Sequence, residues 1–319
     1  MRESLFVKQN SSKWKSYEQM LAGSPDELAD RFVDITNDLA YARTFYPNSK
    51  TTAYLNGIAS VLHQSIYKNK KADNKLFTNF WKYDLPTLFY AYRMSLLYAF
   101  IFFTVSTLIG ILSAKYDDSF IRLILGDQYV NMTNENIAKG DPFGVYKQQG
   151  EVMMFIQIAS NNTYVALLMF VSGIFFSVGP VVFILRNGIM LGSFEYYFFS
   201  KGLGMESILV IWIHGTLEIS AIIIAGGAGL VLGHGLLFPK TFTRFQAFRK
   251  SAIDATKIAL GILPIILLAA VFESFVTRHT NMPLWLSISI LSTSLFFMIW
   301  YVIIYPIQLT NRKQIPKKQ

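Results

Sequence analysis

Cysteine is absent from the 319 residues, which excludes a disulfide-stapled secreted fold, a thiolate metal site and a thiol nucleophile. Charge is scarce as well. Asp, Glu, Lys and Arg make up 15% of the chain, against about 25% in soluble domains. Hydrophobic residues reach 52%, so the chain is not disordered. No phosphate-binding loop is present: Ala225-Gly226-Gly227-Ala228-Gly229 lacks the following Lys and Ser/Thr and lies in an apolar run. There is no exposed serine-nucleophile motif and no His pair with zinc-protease spacing. A net charge of +9 raises nucleic acid as a partner. The cationic clusters abut apolar runs instead, so anionic lipid headgroups are the expected partner and nucleic acid is not.

What is abundant is long apolar sequence. A helical span needs about 20 mainly apolar residues. Four runs qualify at once, 94–114, 164–185, 258–276 and 284–305. A fifth, 207–238, would extend about 45 Å as a helix against roughly 30 Å of hydrocarbon, which predicts tilt, protrusion or a break at 225–229. The first 90 residues are polar and periodic, and no signal peptide is read there.

Orientation follows from Lys and Arg near the span ends. Lys68, Lys70, Lys71, Lys75, Lys82 and Arg93 place the N-terminus in the cytoplasm. In the connection 115–163 acidic residues outnumber basic ones, which predicts an external loop carrying a short helix or two. Lys240, Arg244, Arg249, Lys250 and Lys257 place 240–257 inside, and the basic tail 307–319 is also inside. The stretch 187–238 must therefore cross an even number of times. The reading is an all-α polytopic membrane protein with about six transmembrane helices, the extra one short at 187–200. Five spans, or four plus a re-entrant hairpin, are the alternatives. The domain reading is a cytoplasmic and interfacial region 1–93, a bundle 94–306 and the tail.

Within 1–93 three helices are expected. Ser24-Pro25-Asp26-Glu27 is a capping box with proline at the first helical position, and Leu28, Phe32, Ile35, Leu39 and Ala42 follow as one apolar stripe. Tyr54, Leu55, Ile58, Leu62 and Ile66 form a second stripe. The aromatic- and lysine-rich segment 76–92 suits a helix at headgroup level.

More specific signals run along the chain. Phe6-Val7, Trp14, Tyr17-Glu18, Asp38-Leu39-Ala40-Tyr41-Ala42-Arg43, Tyr46-Pro47, Tyr54-Leu55-Asn56 and His63 to Tyr67 occur in order. Asn161-Asn162, Gly173, Gly179-Pro180, Asn187-Gly188 and His214-Gly215-Thr216-Leu217-Glu218 follow. This series resembles the stage II sporulation protein M family of bacterial and archaeal integral membrane proteins. Ile213 departs from the proline that the family often carries before the histidine. The resemblance implies a bacterial inner-membrane protein. Founding members of that family are scaffolds in an envelope-remodelling complex with peptidoglycan-degrading partners.

Ionisable residues at lipid depth cost several kcal/mol, about 3 on insertion scales, and start as candidates for function. His214 and Glu218 are four apart and share a helical face, and Glu273 lies in the next apolar run. The trio reads as a proton-relay, ion or substrate site, or as a buried His–Glu hydrogen bond holding helices in register. A metal site is not expected, because only one His and one or two carboxylates are at hand. Ala225, Gly229 and Gly233 form a small-residue stripe for helix packing. Arg186 and Asn187 are read as a helix C-terminus or a second polar site.

The leading expectation is a non-enzymatic membrane scaffold that recruits protein partners, a second copy among the candidates, with no cofactor. A transporter or channel-like component using His214, Glu218 and Glu273 is the alternative, followed by an intramembrane metal-dependent hydrolase.

Overall fold

A computed structural model describes residues 1–19, 25–68, 75–147, 149–239, 241–279 and 282–314. Ser24, Lys70, Lys71, Lys240, Lys317 and Lys318 lie outside the described residues. The described residues are helical and contain no strand. They divide into two compact units, Met1–Thr78 and Asn79–Gln319.

The first unit holds three helices, Glu3–Gln19, Pro25–Phe45 and Lys50–Lys68. Leu28, Ile35, Leu39 and Ala42 of the expected stripe are buried, with Leu55, Ile58 and Leu62 facing them. Trp14 fills the centre at 2% exposure, its ring edge-on to Phe6 with centroids 5.3 Å apart. A buried indole needs a partner for its N–H. Trp14 Nε1 donates to Asp38 Oδ2 at 2.7 Å, and Lys13 Nζ meets the same oxygen at 2.7 Å. Tyr17 donates its hydroxyl proton to Asp34 Oδ2 at 2.8 Å.

The second unit begins within the segment read as an interfacial helix. A wide π turn, Phe80–Asp84, leads into Leu85–Ala91, whose Leu85 and Phe89 are buried in the bundle core. Tyr301 donates to the carbonyl of Trp81 at 2.8 Å and Tyr305 to that of Lys82 at 2.9 Å. Residues 79–92 therefore pack with the bundle, so the compact boundary falls ahead of residue 93.

Six helices are long and apolar enough to cross a membrane: Arg93–Tyr116, Glu151–Ile174, Val178–Ser200, Gly204–Leu237, Arg244–Thr277 and Leu284–Asn311. They are the first to sixth spans here. The run 164–185 is not one span but parts of two. The second span ends at Ile174, and the chain turns through Phe176 (φ 52°) and Ser177 (φ 67°), left-handed conformations that a non-glycine residue adopts only at a cost. The third span restarts there, with Pro180 in its first turn where a missing N–H does no harm. The expected short span 187–200 is the second half of this full-length helix, and the connection after the first span ends at Gly150 rather than at 163. Of the tilt, protrusion or break expected of 207–238, the break at 225–229 is absent. Gly204–Leu237 runs as one helix of 34 residues, about 51 Å at helical rise, longer than the hydrocarbon is thick.

That fourth span is the axis of the bundle. Half of its apolar window is buried, as in the fifth span, against 17–28% in the other four, whose remaining apolar surface faces outward for lipid. Between the first and second spans two short helices, Asp118–Leu125 and Asp127–Ala138, and a single turn at Gly144–Lys147 fold down onto the bundle. Phe143 stacks on Phe198 of the third span with centroids 5.6 Å apart, and Tyr197 donates to Asn134 Oδ1 at 2.8 Å. The loop thus makes a roof over one end of the spans.

Candidate functional site

Under that roof the fourth and fifth spans bring ionisable groups together. His214 is 4% exposed. The fifth span widens into a π turn at Phe272–Thr277, a feature that recurs at functional sites. This turn presents Glu273 and Thr277, four residues apart, to the same imidazole. His214 Nδ1 lies 2.9 Å from Thr277 Oγ1, and its Nε2 lies 3.9 Å from Glu273 Oε2. One turn further along the fourth span, the Glu218 carboxylate is approached by the Asn162 side chain of the second span. The Asn162 carbonyl oxygen accepts from Asn161 at 3.3 Å, which leaves its amide available to the carboxylate. Donor atoms of His214, Glu218 and Glu273 all lie within 4.8 Å of one another. His214 therefore bonds to Thr277 of the fifth span, rather than to Glu218 as one reading of the sequence supposed.

The three line a cavity of about 370 Å³, together with Tyr129 and Tyr146 of the roof and Asn187 of the third span. Its walls are otherwise largely apolar, with Phe103, Leu191 and Phe194 among them. Among the described residues no Lys or Arg lines it. Tyr146 sits edge-on to the His214 ring, centroids 5.8 Å apart. Burial pushes the Tyr146 hydroxyl well above its ordinary value of 10.0, and the nearby Glu273 carboxylate adds to this, so the phenol remains a proton donor. Burial likewise pushes Tyr129 up to about 12. A second cavity, of about 390 Å³, has Asp141, Glu206, Thr277 and His279 in its wall.

Arg186 and Asn187 do not end a helix. They sit in mid-course in Val178–Ser200 and diverge: Arg186 is exposed on the outer face, while Asn187 turns to the cavity, its amide bonded to the Phe183 carbonyl at 2.8 Å. A cation on that outer face can carry its head toward the Ser177 end, because helical side chains lean toward the N-terminus. His234 is 20 residues beyond His214 on one straight helix, about 30 Å away, and stays clear of the site. The small stripe lies on the far side of the cluster. Ala225 is fully buried, a Cβ at Gly229 would lie 2.5 Å from the Met169 carbonyl oxygen, and one at Gly233 would lie 2.2 Å from Ser177 Oγ.

Thr277, Tyr146 and Tyr129 carry no signal in the sequence alone. Asn162 does carry one, as an amide inside an apolar helix.

The family model for stage II sporulation protein M matches residues 99–278, more than half of the chain. The chain belongs to that family. The matched stretch holds the cavity-lining residues of the first, third, fourth and fifth spans, and it contains the His214-Gly215-Thr216-Leu217-Glu218 motif. Residues 4–68 match a separate family model, a domain of unknown function (DUF8413). The N-terminal series from Phe6 to Tyr67, read above with the stage II sporulation protein M family, falls within this second match. No curated protein matches the chain, and no solved structure does.

Proposed function

We propose that this stage II sporulation protein M family member is a non-enzymatic, partner-recruiting component of a cell-envelope complex in the bacterial cytoplasmic membrane. Its N- and C-termini are cytoplasmic and the roof loop is external, as the distribution of Lys and Arg around six spans favours. Unit 1–78 is the recruiting element, with Leu5, Val33, Phe45 and Val61 as exposed apolar contacts. Anionic headgroups meet Arg244, Arg249 and Lys250 at the inner surface.

The observation that carries this reading is how the bundle closes beside the cavity. Gly226, Gly227 and Gly229 pack so tightly on Ile184, Leu96, Met169 and Pro180 that a Cβ at any of them would come within 2.6 Å of a neighbour. A transport pathway needs an opening along the axis, and close helix contact of this kind favours a fixed bundle. The test is affinity capture of the tagged chain from crosslinked native membranes. Glu218→Gln is expected to retain the captured partners and deletion of 1–78 to lose them. Loss of partners in a folded Glu218→Gln variant, or full capture without 1–78, contradicts the proposal.

A ligand-binding or transport role is the second reading, and the convergence of His214, Glu218 and Glu273 on a cavity favours it. Glu218→Gln would then abolish uptake into proteoliposomes while assembly survives.

A further inference from the structure

Two carboxylates, Glu218 and Glu273, approach one imidazole at lipid depth, and among the described residues no Lys or Arg lines their cavity. Buried charge of one sign costs several kcal/mol per group unless something of opposite sign accompanies it. His214 supplies no such charge while neutral. Its Nδ1 is engaged by Thr277 at 2.9 Å, whereas Nε2 faces Glu273 Oε2 at 3.9 Å, beyond hydrogen-bond reach, on the wall of the cavity. In the tautomer that donates Nδ1–H to Thr277, Nε2 presents a lone pair toward a carboxylate oxygen. In that tautomer two acceptors face each other across 3.9 Å, a gap that a cation fits.

We propose that His214 Nε2 and one carboxylate oxygen each from Glu218 and Glu273 bind a single divalent transition-metal ion. A metal about 2.1 Å from each donor holds the donors roughly 3.0–3.5 Å apart, so the cluster, now within 4.8 Å, closes by about 1 Å through side-chain rotation. One outer support that such sites use is in place, a hydroxyl on the second nitrogen of the histidine, and the Asn162 side chain lies near the Glu218 carboxylate. A dication with two carboxylates and a neutral imidazole leaves the site with no net charge. Mixed imidazole and carboxylate ligation suits Zn²⁺ or Mn²⁺, whereas Mg²⁺ and Ca²⁺ favour all-oxygen shells. The three protein ligands occupy one side of the ion, and the cavity, with Tyr146 and Asn187 in its wall, leaves the other side for water or a small anionic ligand.

The experiment uses the full chain in detergent, stripped with a chelator and then titrated with Zn²⁺ or Mn²⁺ by calorimetry, with bound metal counted by mass spectrometry. The expected result is one ion per chain for one of these metals, with Mg²⁺ at least tenfold weaker. Glu218→Gln and Glu273→Gln are each expected to weaken binding at least tenfold while helical content and elution volume stay unchanged. Thr277→Val, which removes only the support, is expected to weaken it about tenfold, the low end for a partner of a ligand. A wild-type Co²⁺ complex, read by its d–d spectrum for mixed nitrogen and oxygen ligation, keeps the proposal testable where a variant misfolds. Absence of stoichiometric Zn²⁺ or Mn²⁺, or equal affinity in folded Glu218→Gln, overturns it. Partner capture by 1–78 does not depend on this site, so failure of either proposal is separable from the other.

Discussion

Gly173 and Gly229 meet backbone to backbone: a Cβ on Gly173 would stand 2.2 Å from the Gly229 carbonyl oxygen. This contact docks the end of the second span, and the strained turn at Phe176 and Ser177, against the axial helix. It explains why a glycine-rich stretch that looks like a break is instead a continuous helix. Glycine there permits a close approach and is held helical by what it approaches.

A substitution pair tests that explanation. Gly173→Ala puts a methyl group into backbone, which cannot move aside as a side chain can, and is expected to cost about 3 kcal/mol or more. At Gly215 the nearest atom to an added Cβ is Ile219 Cδ1 at 4.0 Å. Gly215→Ala should therefore be neutral, or stabilising by up to about 1 kcal/mol through helix propensity. Thermal unfolding in detergent separates the two, and equal effects contradict the packing argument.

Asp38 holds the indole of Trp14 and the ammonium of Lys13 at once. Asp38→Ala leaves the buried Trp14 N–H without its acceptor, a loss of about 1–3 kcal/mol. Asp38→Asn retains an acceptor and should recover most of it. Amide exchange in Glu3–Gln19 reads the difference, and equal exchange in both variants contradicts the assignment.

The same unit should weaken in acid. The Tyr17 hydroxyl, and beyond it the Lys13 ammonium, hold the Asp34 carboxyl below its ordinary value of 3.8. A carboxyl depressed in the folded state stabilises fully above that ordinary value and loses its contribution as pH falls through its folded value. Amide protection factors in Glu3–Gln19, corrected for the intrinsic pH dependence of exchange, should therefore fall below about pH 4, and Asp34→Asn should flatten that part of the profile. A profile unchanged in Asp34→Asn contradicts the link.

Much of the architecture was legible because membrane spans write themselves in long apolar runs and flanking charge. The first, fifth and sixth spans carry those marks clearly. The second and third did not, because Asn161 and Asn162 interrupt the one and Arg186 and Asn187 the other, while the turn between them is itself apolar. Hydropathy alone joins 164–185 into a single span. Only Gly179-Pro180, a helix-start signal, marks the restart. Of the site, the shared helical face of His214 and Glu218 was visible from their four-residue spacing, and Glu273 from its place in the next apolar run. Their meeting with Glu273 depends on how two spans cross, and the contribution of Tyr146 depends on a loop folding back. Neither leaves a periodic trace. Asn187 was read together with Arg186 because they are neighbours in sequence, yet successive helical residues face different ways.

Because the chain lacks cysteine, single cysteines report its threading directly. Gln128 is exposed in the roof loop and Gln246 is exposed near the start of the fifth span. The most direct measurement labels Gln128→Cys and Gln246→Cys in intact cells with a membrane-impermeant maleimide. The expected result is labelling of Gln128→Cys at once and of Gln246→Cys only after permeabilisation, which puts the roofed cavity toward the outside. The reverse pattern would contradict the placement of His214, Glu218 and Glu273 beneath an external roof, and labelling of both in intact cells would contradict the six-span threading itself.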